Sequence, residues 1–177
     1  CKVGNCYKFN GGQQIDMPIN TYLTGEFAYS FWILGLDFTQ GRGFDETGGG
    51  ATSGLLTQMP SGKLQVYLIS SNPGAPHYYS TSATVADGTW HHVVIDISNI
   101  TKNITTYVDG NLDTRTNFPA MAWITPSKTF ILGDSDRPTG LCPTAGCYLN
   151  GNLDEFMRFN RTLTASEVRM IYEGSRL

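Results

Sequence analysis

Four acidic side chains in two predicted loops have the type and spacing to bind a calcium ion. Asp134 and Asp136 are two residues apart and follow a predicted strand, so both carboxylates can face one ion. Asp45 and Glu46 lie in a glycine-rich segment, residues 40–54, whose carbonyl groups can complete the shell of about six to eight oxygens that Ca²⁺ prefers. The alternative, which remains open, is that these acids are solvated residues that form turns.

Five aromatic residues in or near predicted loops have the type of side chain that stacks on a sugar ring. Aromatic rings combine a large apolar face with a polar edge, but for the same reason they also cover protein cores. Both roles remain open for each of them. They are Trp123, Tyr78, Tyr79, Phe44 and Tyr148.

Residue patterns typical of enzymes are lacking in the sequence. A glycosidase needs two carboxylates that face each other across a groove. Asp154 and Glu155 are adjacent, and so are His91 and His92, so in strands the members of each pair would point to opposite faces. The sequence contains no serine or cysteine nucleophile motif, phosphate-binding loop or dinucleotide fingerprint. We therefore expect a binding protein rather than an enzyme.

The four cysteines form two pairs of equal spacing, Cys1 with Cys6 and Cys142 with Cys147. We predict two local disulfides, because the members of each pair are too close in sequence to need the fold to bring them together. A zinc site is the alternative, but it would need ligands from both ends of the chain, and zinc ligands are usually spaced more tightly.

Three Asn-x-Ser/Thr glycosylation sequons occur, at Asn99, Asn103 and Asn160. Together with paired cysteines they favour an extracellular or cell-surface setting. The sequence starts at Cys1 without a signal peptide, and we expect a domain excised from a larger surface protein.

The elements that would position these residues are predicted to be strands, beginning with a meander over residues 88–116. Alternation predicts strands at roughly 90–97, 103–109 and 112–116, and Asp109-Gly110 predicts a tight primed turn between the last two. A meander so apolar on one face needs a second sheet to cover it. The residues of that face are Val93, Ile95, Ile97, Ile104, Thr106 and Val108.

Other segments complete the prediction. Residues 26–34 favour a central strand, because both faces are largely apolar: Phe27, Tyr29, Phe31 and Ile33 share one face, and Ala28, Ser30, Trp32 and Leu34 share the other. Leu153, Met157 and Phe159 are predicted to share one face of a later strand. Thr164 and Glu167 have the spacing of a helix capping box, which predicts a helix of about ten residues.

The composition agrees with a single all-β domain that spans residues 1–177. Aromatic residues make up 12% and charged residues 15%, while 20 glycines and 8 prolines provide turns for many short strands. The net charge of −3 argues against nucleic acid, which needs a clustered basic surface. No apolar run approaches the ~18 residues of a membrane span, so no membrane insertion is expected.

The order of these segments resembles the laminin-G-like, concanavalin A-like jelly-roll modules, whose relatives include the pentraxins. The resemblance implies two antiparallel sheets of about six or seven strands each, and it is specific for fold rather than for function. Gln13 and Gln14 depart from the pattern, since an Asp is frequent at this place. The matching segments are residues 7–12, 27–33, 87–95, 106–110, 130–133, 149–156 and 163–168.

The resemblance also implies where calcium would bind. In pentraxin-like relatives the loop after the matching Leu-Gly carries acidic ligands with partners from an early loop, which favours Asp134 and Asp136 together with Asp45 and Glu46. A structural ion near Asn10, Gly11 and Asp154 is the alternative, because the chain ends meet there in related jelly rolls.

We therefore predict an all-β, two-sheet antiparallel jelly-roll sandwich with a short C-terminal helix. The expected function is non-catalytic, Ca²⁺-dependent carbohydrate binding or cell adhesion, with a glycan or a surface protein as partner. A structural or protein–protein interaction domain is the second hypothesis, and a glycoside hydrolase of the same fold is the third.

Overall fold

The structure is a computed structural model that describes residues 1–17, 25–35, 44–45, 54–58, 60–69, 77–119, 130–133 and 149–175. Within these ranges lie twelve strands and one α-helix. They are β1 (Tyr7–Asn10), β2 (Ile15–Met17), β3 (Glu26–Gly35), β4 (Phe44–Asp45), β5 (Gly54–Gln58), β6 (Gln65–Ile69), β7 (His77–Ser80), β8 (Trp90–Ser98), β9 (Asn103–Val108), β10 (Asn111–Asn117), β11 (Phe130–Leu132), β12 (Asn150–Phe159) and α1 (Ala165–Gly174).

The strands form two antiparallel six-stranded sheets. The first has the order β1-β12-β3-β8-β9-β10 and the second the order β2-β11-β4-β5-β6-β7. β3 lies between β12 and β8, as its two apolar faces predict, and β8, β9 and β10 form the predicted meander. The turn after β9 has positive φ at both Asp109 (51°) and Gly110 (76°), which is the predicted primed turn.

The core lies between the two sheets. Alternation decides its membership, because successive side chains of a strand point to opposite faces and only one face of each sheet is covered by the other sheet. From the predicted apolar face of the meander, the first sheet contributes Val93, Ile95, Ile97, Ile104 and Val108. Of the two apolar faces of β3, the structure places that of Phe27, Tyr29, Phe31 and Ile33 in this core, and the second sheet contributes Phe44, Val66, Leu68 and Leu132.

A β-bulge in β12 overturns one prediction about faces. The register with β3 shifts between Asp154 and Met157, and Glu155 has a φ of 48°. An extra residue reverses the alternation beyond it. Leu153 is therefore in the core, but Phe156 follows it there, and Phe159 packs on the outer face instead. The prediction that Leu153, Met157 and Phe159 share one face is wrong.

Helix α1 covers part of the outer face of the first sheet. Its capping box is present as predicted, with Thr164 as N-cap accepting from the backbone of Glu167 and the Glu167 carboxylate accepting from the backbone of Thr164. Val168 is buried against a small outer cluster of Ala28, Val94, Tyr107 and Leu163. This second apolar cluster explains why β3 is apolar on both faces.

Candidate functional site

The outer face of the second sheet carries an aromatic pair at its β6–β7 edge. Tyr67 and Tyr78 are opposite each other in the ladder, and their ring centroids are 4.6 Å apart. Tyr78 is 49% exposed, while Tyr67 is buried beneath it. Gln65 and Ser80 form the next pair on the same face and are joined by a 3.2 Å hydrogen bond from Gln65 Nε2 to Ser80 Oγ. We call these four residues the tyrosine edge.

The predicted aromatic set is divided by the structure. Tyr78 is exposed on the tyrosine edge, whereas Tyr79, its neighbour on β7, points to the other face and packs against the core. Phe44 is 1% exposed, so the prediction that it stacks on a sugar is wrong, because β4 turns its ring into the core against Phe31. Trp123 and Tyr148 lie outside the described residues.

The predicted calcium ligands lie in or directly after two neighbouring strands, β4 and β11. Asp45 is in β4, which pairs with β11 so that Asp45 is opposite Ile131. Because these strands are antiparallel, the last described residues, Asp45 and Gly133, lie at opposite ends of the pair. Asp134, Asp136 and Glu46 lie outside the described residues.

The alternative ligand set is not brought together. Asn10 pairs with Asn150 while Tyr7 pairs with Leu153, so Asn10 and Asp154 lie about 13 Å apart along the strands. The carboxylate of Asp154, 4% exposed, already accepts three hydrogen bonds, from the backbone N–H groups of Lys2 (3.0 Å), Val3 (2.8 Å) and Glu155 (2.9 Å). These oxygens anchor the N-terminal segment, and Asn10, Gly11 and Asp154 do not fit a shared calcium ion.

The predicted disulfide between Cys1 and Cys6 is present. It closes the segment that Asp154 holds, so a covalent and a polar constraint act on the same few residues. Cys142 and Cys147 lie outside the described residues.

The three sequon asparagines occupy different surroundings. Asn99 accepts a hydrogen bond from the Lys102 ammonium in the turn after β8, and Asn160 is exposed after β12. Asn103 begins β9, where its Oδ1 is buried and has no partner. Their glycosylation stays a prediction.

The adjacent histidines point to opposite faces, as expected. His91 lies between two acids: its Nδ1 is 2.8 Å from Asp109 Oδ2 and its Nε2 is 3.2 Å from Asp87 Oδ1. Burial opposes protonation of His91, but the hydrogen bonds and charges of the two acids outweigh it and raise its pKa. Because the acids contact opposite ring nitrogens, they clamp the start of β8 to the β9–β10 turn and do not converge on one ligand.

His92 belongs to the outer face beneath α1. Its Nε2 is 2.9 Å from Ser30 Oγ, and its ring lies 5.3 Å from that of Trp32. Trp32 in turn stacks on Tyr172 of α1 and donates from Nε1 to Ser175 Oγ at 2.9 Å. Burial lowers the pKa of His92 to about 4, so the ring is neutral at pH 7.

Next to the segment that leads into α1, the outer face opens into a polar cavity of about 240 Å³, which we call the acidic cavity. Its lining includes Glu26, Asp96, Ser98, Asn103, Arg115 and Leu163. Glu26 Oε1 accepts a 2.6 Å hydrogen bond from Ser98 Oγ, and Arg115 Nε donates to Thr105 Oγ1 at 3.2 Å.

Asp96 is the buried acid of this cavity. Burial raises its pKa to about 7, with the nearby Glu26 carboxylate adding to the rise, against a hydrogen bond from the Leu163 backbone and the charges of Arg115 and Arg161. Sequence reasoning missed the cavity. The available signal was a single acid inside the apolar run Val93-Val94-Ile95-Asp96-Ile97, on the face away from the predicted core.

Two further properties concern membranes and metals. None of the helical residues that the structure describes forms a segment long and apolar enough to cross a bilayer. Among the same described ranges, no three His, Cys, Asp or Glu side chains are grouped as metal ligands.

Solved structures with the same fold include a pentraxin and toxin binding domains. A heptameric SAP-like pentraxin from Limulus polyphemus matches with a TM-score of 0.68 and 17% identity over 93% of this chain and 80% of that one. Botulinum neurotoxin type C, whose uptake into cells depends on interaction with two ganglioside molecules, matches with a TM-score of 0.74 and 16% identity over 96% of this chain. The binding domain of botulinum neurotoxin DC in complex with rat synaptotagmin II matches with a TM-score of 0.70 and 16% identity over 97% of this chain.

This chain spans only 42% and 45% of those two toxin chains. At such identities the matches establish the fold alone. A comparison with curated protein sequences gave no match. The family model of the concanavalin A-like lectin/glucanases superfamily matches residues 9–169, which include nearly all of both sheets and the first half of the helix. The chain therefore belongs to the concanavalin A-like lectin/glucanases superfamily, in its laminin-G branch.

Proposed function

We propose that this domain is a non-catalytic carbohydrate-binding module that acts outside the cell, with the tyrosine edge as its binding surface. The observation that carries the proposal is the half-exposed ring of Tyr78, supported from below by Tyr67. A sugar presents an apolar C–H face and a rim of hydroxyls. A ring held at a fixed angle offers the matching apolar face at little cost in conformational entropy.

The neighbouring polar pair suits the hydroxyl rim. Gln65 and Ser80 follow the tyrosines along the same two strands, at the spacing of one ladder step on that face. An amide and a hydroxyl each donate and accept, which is what a sugar hydroxyl requires. Strand positions also hold these groups more rigidly than loops would.

Calcium dependence is part of the proposal. Asp134 and Asp136 would supply one pair of ligands and Asp45 and Glu46 another, near β11 and β4 of the same sheet as the tyrosine edge. The antiparallel pairing of β4 and β11 favours two separate pairs over one shared shell. The extracellular setting is supported by the Cys1–Cys6 disulfide, since such bonds persist in oxidising compartments.

Recognition of a surface protein is the second candidate. A toxin binding domain of the same fold occurs in complex with synaptotagmin II, and another toxin of this fold interacts with gangliosides. These are properties of those proteins. They show that domains of this fold can have either a glycan or a protein as partner.

A glycan array that includes ganglioside headgroups, probed with Tyr78→Ala and with Tyr7→Ala as the matched control, tests the site. Tyr7 is also an exposed tyrosine (60%), but it lies on the edge strand of the other sheet. We expect Tyr78→Ala to weaken binding about tenfold, since it removes both the buried apolar area and a stacking contribution of about 0.5–1.5 kcal/mol. We expect Tyr7→Ala to bind like the wild type.

Thermal melting in calcium and in EDTA tests the metal. We expect calcium at a few millimolar to raise the melting temperature by several degrees, since extracellular calcium modules bind in the range of about 0.1–1 mM. The double variants Asp134→Ala/Asp136→Ala and Asp45→Ala/Glu46→Ala separate the two proposed pairs. An unchanged melting temperature in calcium would refute the calcium dependence but not the sugar site.

Three results would contradict the proposed site or the proposed function. Glycans that bind equally to the wild type and Tyr78→Ala would move the site elsewhere. An absence of binding to any glycan on the array, together with binding to a purified surface protein, would favour the second candidate. Release of reducing sugar from a bound glycan, lost on substitution of one acid, would favour a glycoside hydrolase.

A further inference from the structure

The acidic cavity lies on the opposite outer face of the sandwich from the tyrosine edge, so a ligand in the cavity is independent of the proposed function. The cavity is built by elements that are distant in sequence. Glu26 comes from β3, Asp96 and Ser98 from β8, Asn103 from β9 and Arg115 from β10. The segment that leads into α1 closes one side through Leu163.

Two of the residues that line this cavity have a buried hydrogen-bond acceptor without a partner among the described residues. Asp96 is only 7% exposed, and its Oδ1 is buried without a hydrogen bond. Asn103 Oδ1 is in the same state. A buried acceptor without a donor costs about 1–3 kcal/mol, so a polar cavity with two of them is a site that a donor would stabilise.

The charge of the cavity is unbalanced towards the negative. Two carboxylates, Asp96 and Glu26, line it with one guanidinium, that of Arg115. Arg161 lies nearby, but it is already paired with Glu167, at 2.6 Å from Nη2 to Oε1. An occupant with one positive charge would make the site neutral.

These observations discriminate among ligand classes. A neutral sugar brings as many acceptors as donors and gains from an aromatic face, but no aromatic residue is among the described lining residues. Calcium would find two carboxylates and five hydroxyl- or amide-bearing side chains in the lining, but the Arg115 guanidinium would repel a divalent cation, and no third acid is grouped with the two carboxylates among the described residues. A primary ammonium has three donors, no acceptor and one positive charge.

We propose that the acidic cavity binds a primary ammonium group, held by the carboxylates of Asp96 and Glu26 and by the amide oxygen of Asn103. The ligand class is an aliphatic amine, either the side chain of an accessible lysine or an amino sugar. A volume of about 240 Å³ admits a lysine side chain or a single sugar ring.

The ionisation of Asp96 makes this binding dependent on pH. The charged and titratable groups around it are Glu26 on β3, Tyr107 on β9, Arg115 on β10 and Arg161 before α1. Its pKa of about 7 means that the cavity loses one negative charge below neutrality. A lysine side chain stays protonated up to about pH 10, whereas the amine of an amino sugar is less basic because of the neighbouring oxygen atoms. Affinity for the lysine probe should therefore rise between about pH 5.5 and about pH 8.5 through Asp96.

The test is a titration followed by backbone amide shifts of β8 and β9, with four probes. Nα-acetyl-lysine amide and glucosamine carry a primary ammonium, whereas Nα,Nε-diacetyl-lysine amide and N-acetylglucosamine are their uncharged counterparts. We expect both amines to bind and both acetylated forms to bind at least tenfold more weakly. A tenfold preference between the two amines would identify a lysine or an amino sugar as the source.

Variants assign the binding to the named residues. Asp96→Asn and Glu26→Gln should each weaken amine binding at least tenfold, and Asp96→Asn should remove its pH dependence. Arg115→Gln, which removes the competing positive charge, should strengthen it several-fold. Glu173→Gln, an exposed acid on α1, is the control and should bind like the wild type.

Three outcomes would overturn the proposal. They are equal binding of the acetylated probes, unchanged amine binding in Asp96→Asn, and no shift with either amine at 50 mM. Calcium chloride alone producing the shifts that the amines do not produce would assign the cavity to a metal instead. The melting temperature of each variant, measured in the same buffer, separates lost binding from lost folding.

Discussion

The pKa values of two buried polar side chains of β8, His92 and Asp96, are shifted in favour of the neutral form by the same cause. Burial lowers the pKa of His92 to about 4 and raises that of Asp96 to about 7. Both lie on the outer face of the first sheet, one beneath α1 and one in the acidic cavity. Their contributions to the free energy of unfolding therefore change in opposite directions as the pH falls.

The signs depend on which state binds the proton. For His92 the unfolded chain binds a proton below about pH 6.5 and the folded chain does not, so its contribution is lost as the pH falls from about 6.5 towards 4. For Asp96 the folded chain keeps a proton that the unfolded chain releases above about pH 4. Its contribution to the free energy of unfolding therefore falls as the pH rises from about 4 to 7.

The variant Asp96→Asn tests this, because asparagine resembles the neutral acid and can still accept from the Leu163 backbone. We expect its free energy of unfolding to exceed that of the wild type, and this advantage to be larger at pH 8.5 than at pH 5 by on the order of 2 kcal/mol. Urea unfolding at the two pH values measures it. An advantage that is the same at both would mean that Asp96 titrates near its ordinary pKa.

At the scale of elements, positive φ angles decide two features of the first sheet. In β12, Glu155 at 48° forms the bulge that directs Phe156 inward. After β9, Asp109 and Gly110 form the turn that sets the register of β10. Gly110 also lies under α1, where an added Cβ would come within 2.7 Å of the Tyr172 ring.

The variant Gly110→Ala should therefore be destabilised by both strain and contact, by about 2–3 kcal/mol. Gly88→Ala is the matched control, since Gly88 has a similar φ of 82° but nothing within 4 Å of an added Cβ. It should cost only the strain, about 1 kcal/mol. Urea denaturation of the two variants measures the difference. Equal losses in the free energy of unfolding would show that the Tyr172 ring moves aside at no energetic cost.

At the scale of the whole molecule, the tyrosine edge and the acidic cavity occupy opposite outer faces. The hydrophobic core between the two sheets separates them, and such a core is about 10 Å thick. Residues this far apart without shared partners usually act independently. We therefore expect that ligands at these two proposed surfaces do not compete.

A double variant checks this independence. The effects of Tyr78→Ala and Asp96→Asn on the free energy of unfolding should add to within about 0.5 kcal/mol. Urea unfolding of the wild type, the two single variants and the double variant measures the sum. A larger interaction energy would mean that the sheets transmit strain between the two faces, and that the two sites should be treated as coupled.

Local signals in the sequence were sufficient for much of the fold. The meander, the Asp109-Gly110 turn and the Thr164–Glu167 cap are each specified by residues within a few positions of one another, so periodicity and turn chemistry predict them. The Cys1–Cys6 disulfide is local for the same reason. Beyond the bulge at Glu155 this reasoning failed, because one extra residue reverses the alternation of every later side chain.

The sequence by itself determined the fold class, the central position of β3 and the candidate aromatic and acidic residues. Only the tertiary structure decided that Tyr78 faces outward while Phe44 is buried, because the covered face of each strand depends on its partners in both sheets. It likewise decided the acidic cavity, whose Glu26, Asp96 and Arg115 are about 90 positions apart from first to last. No local pattern specifies a site whose walls meet only when four strands pair.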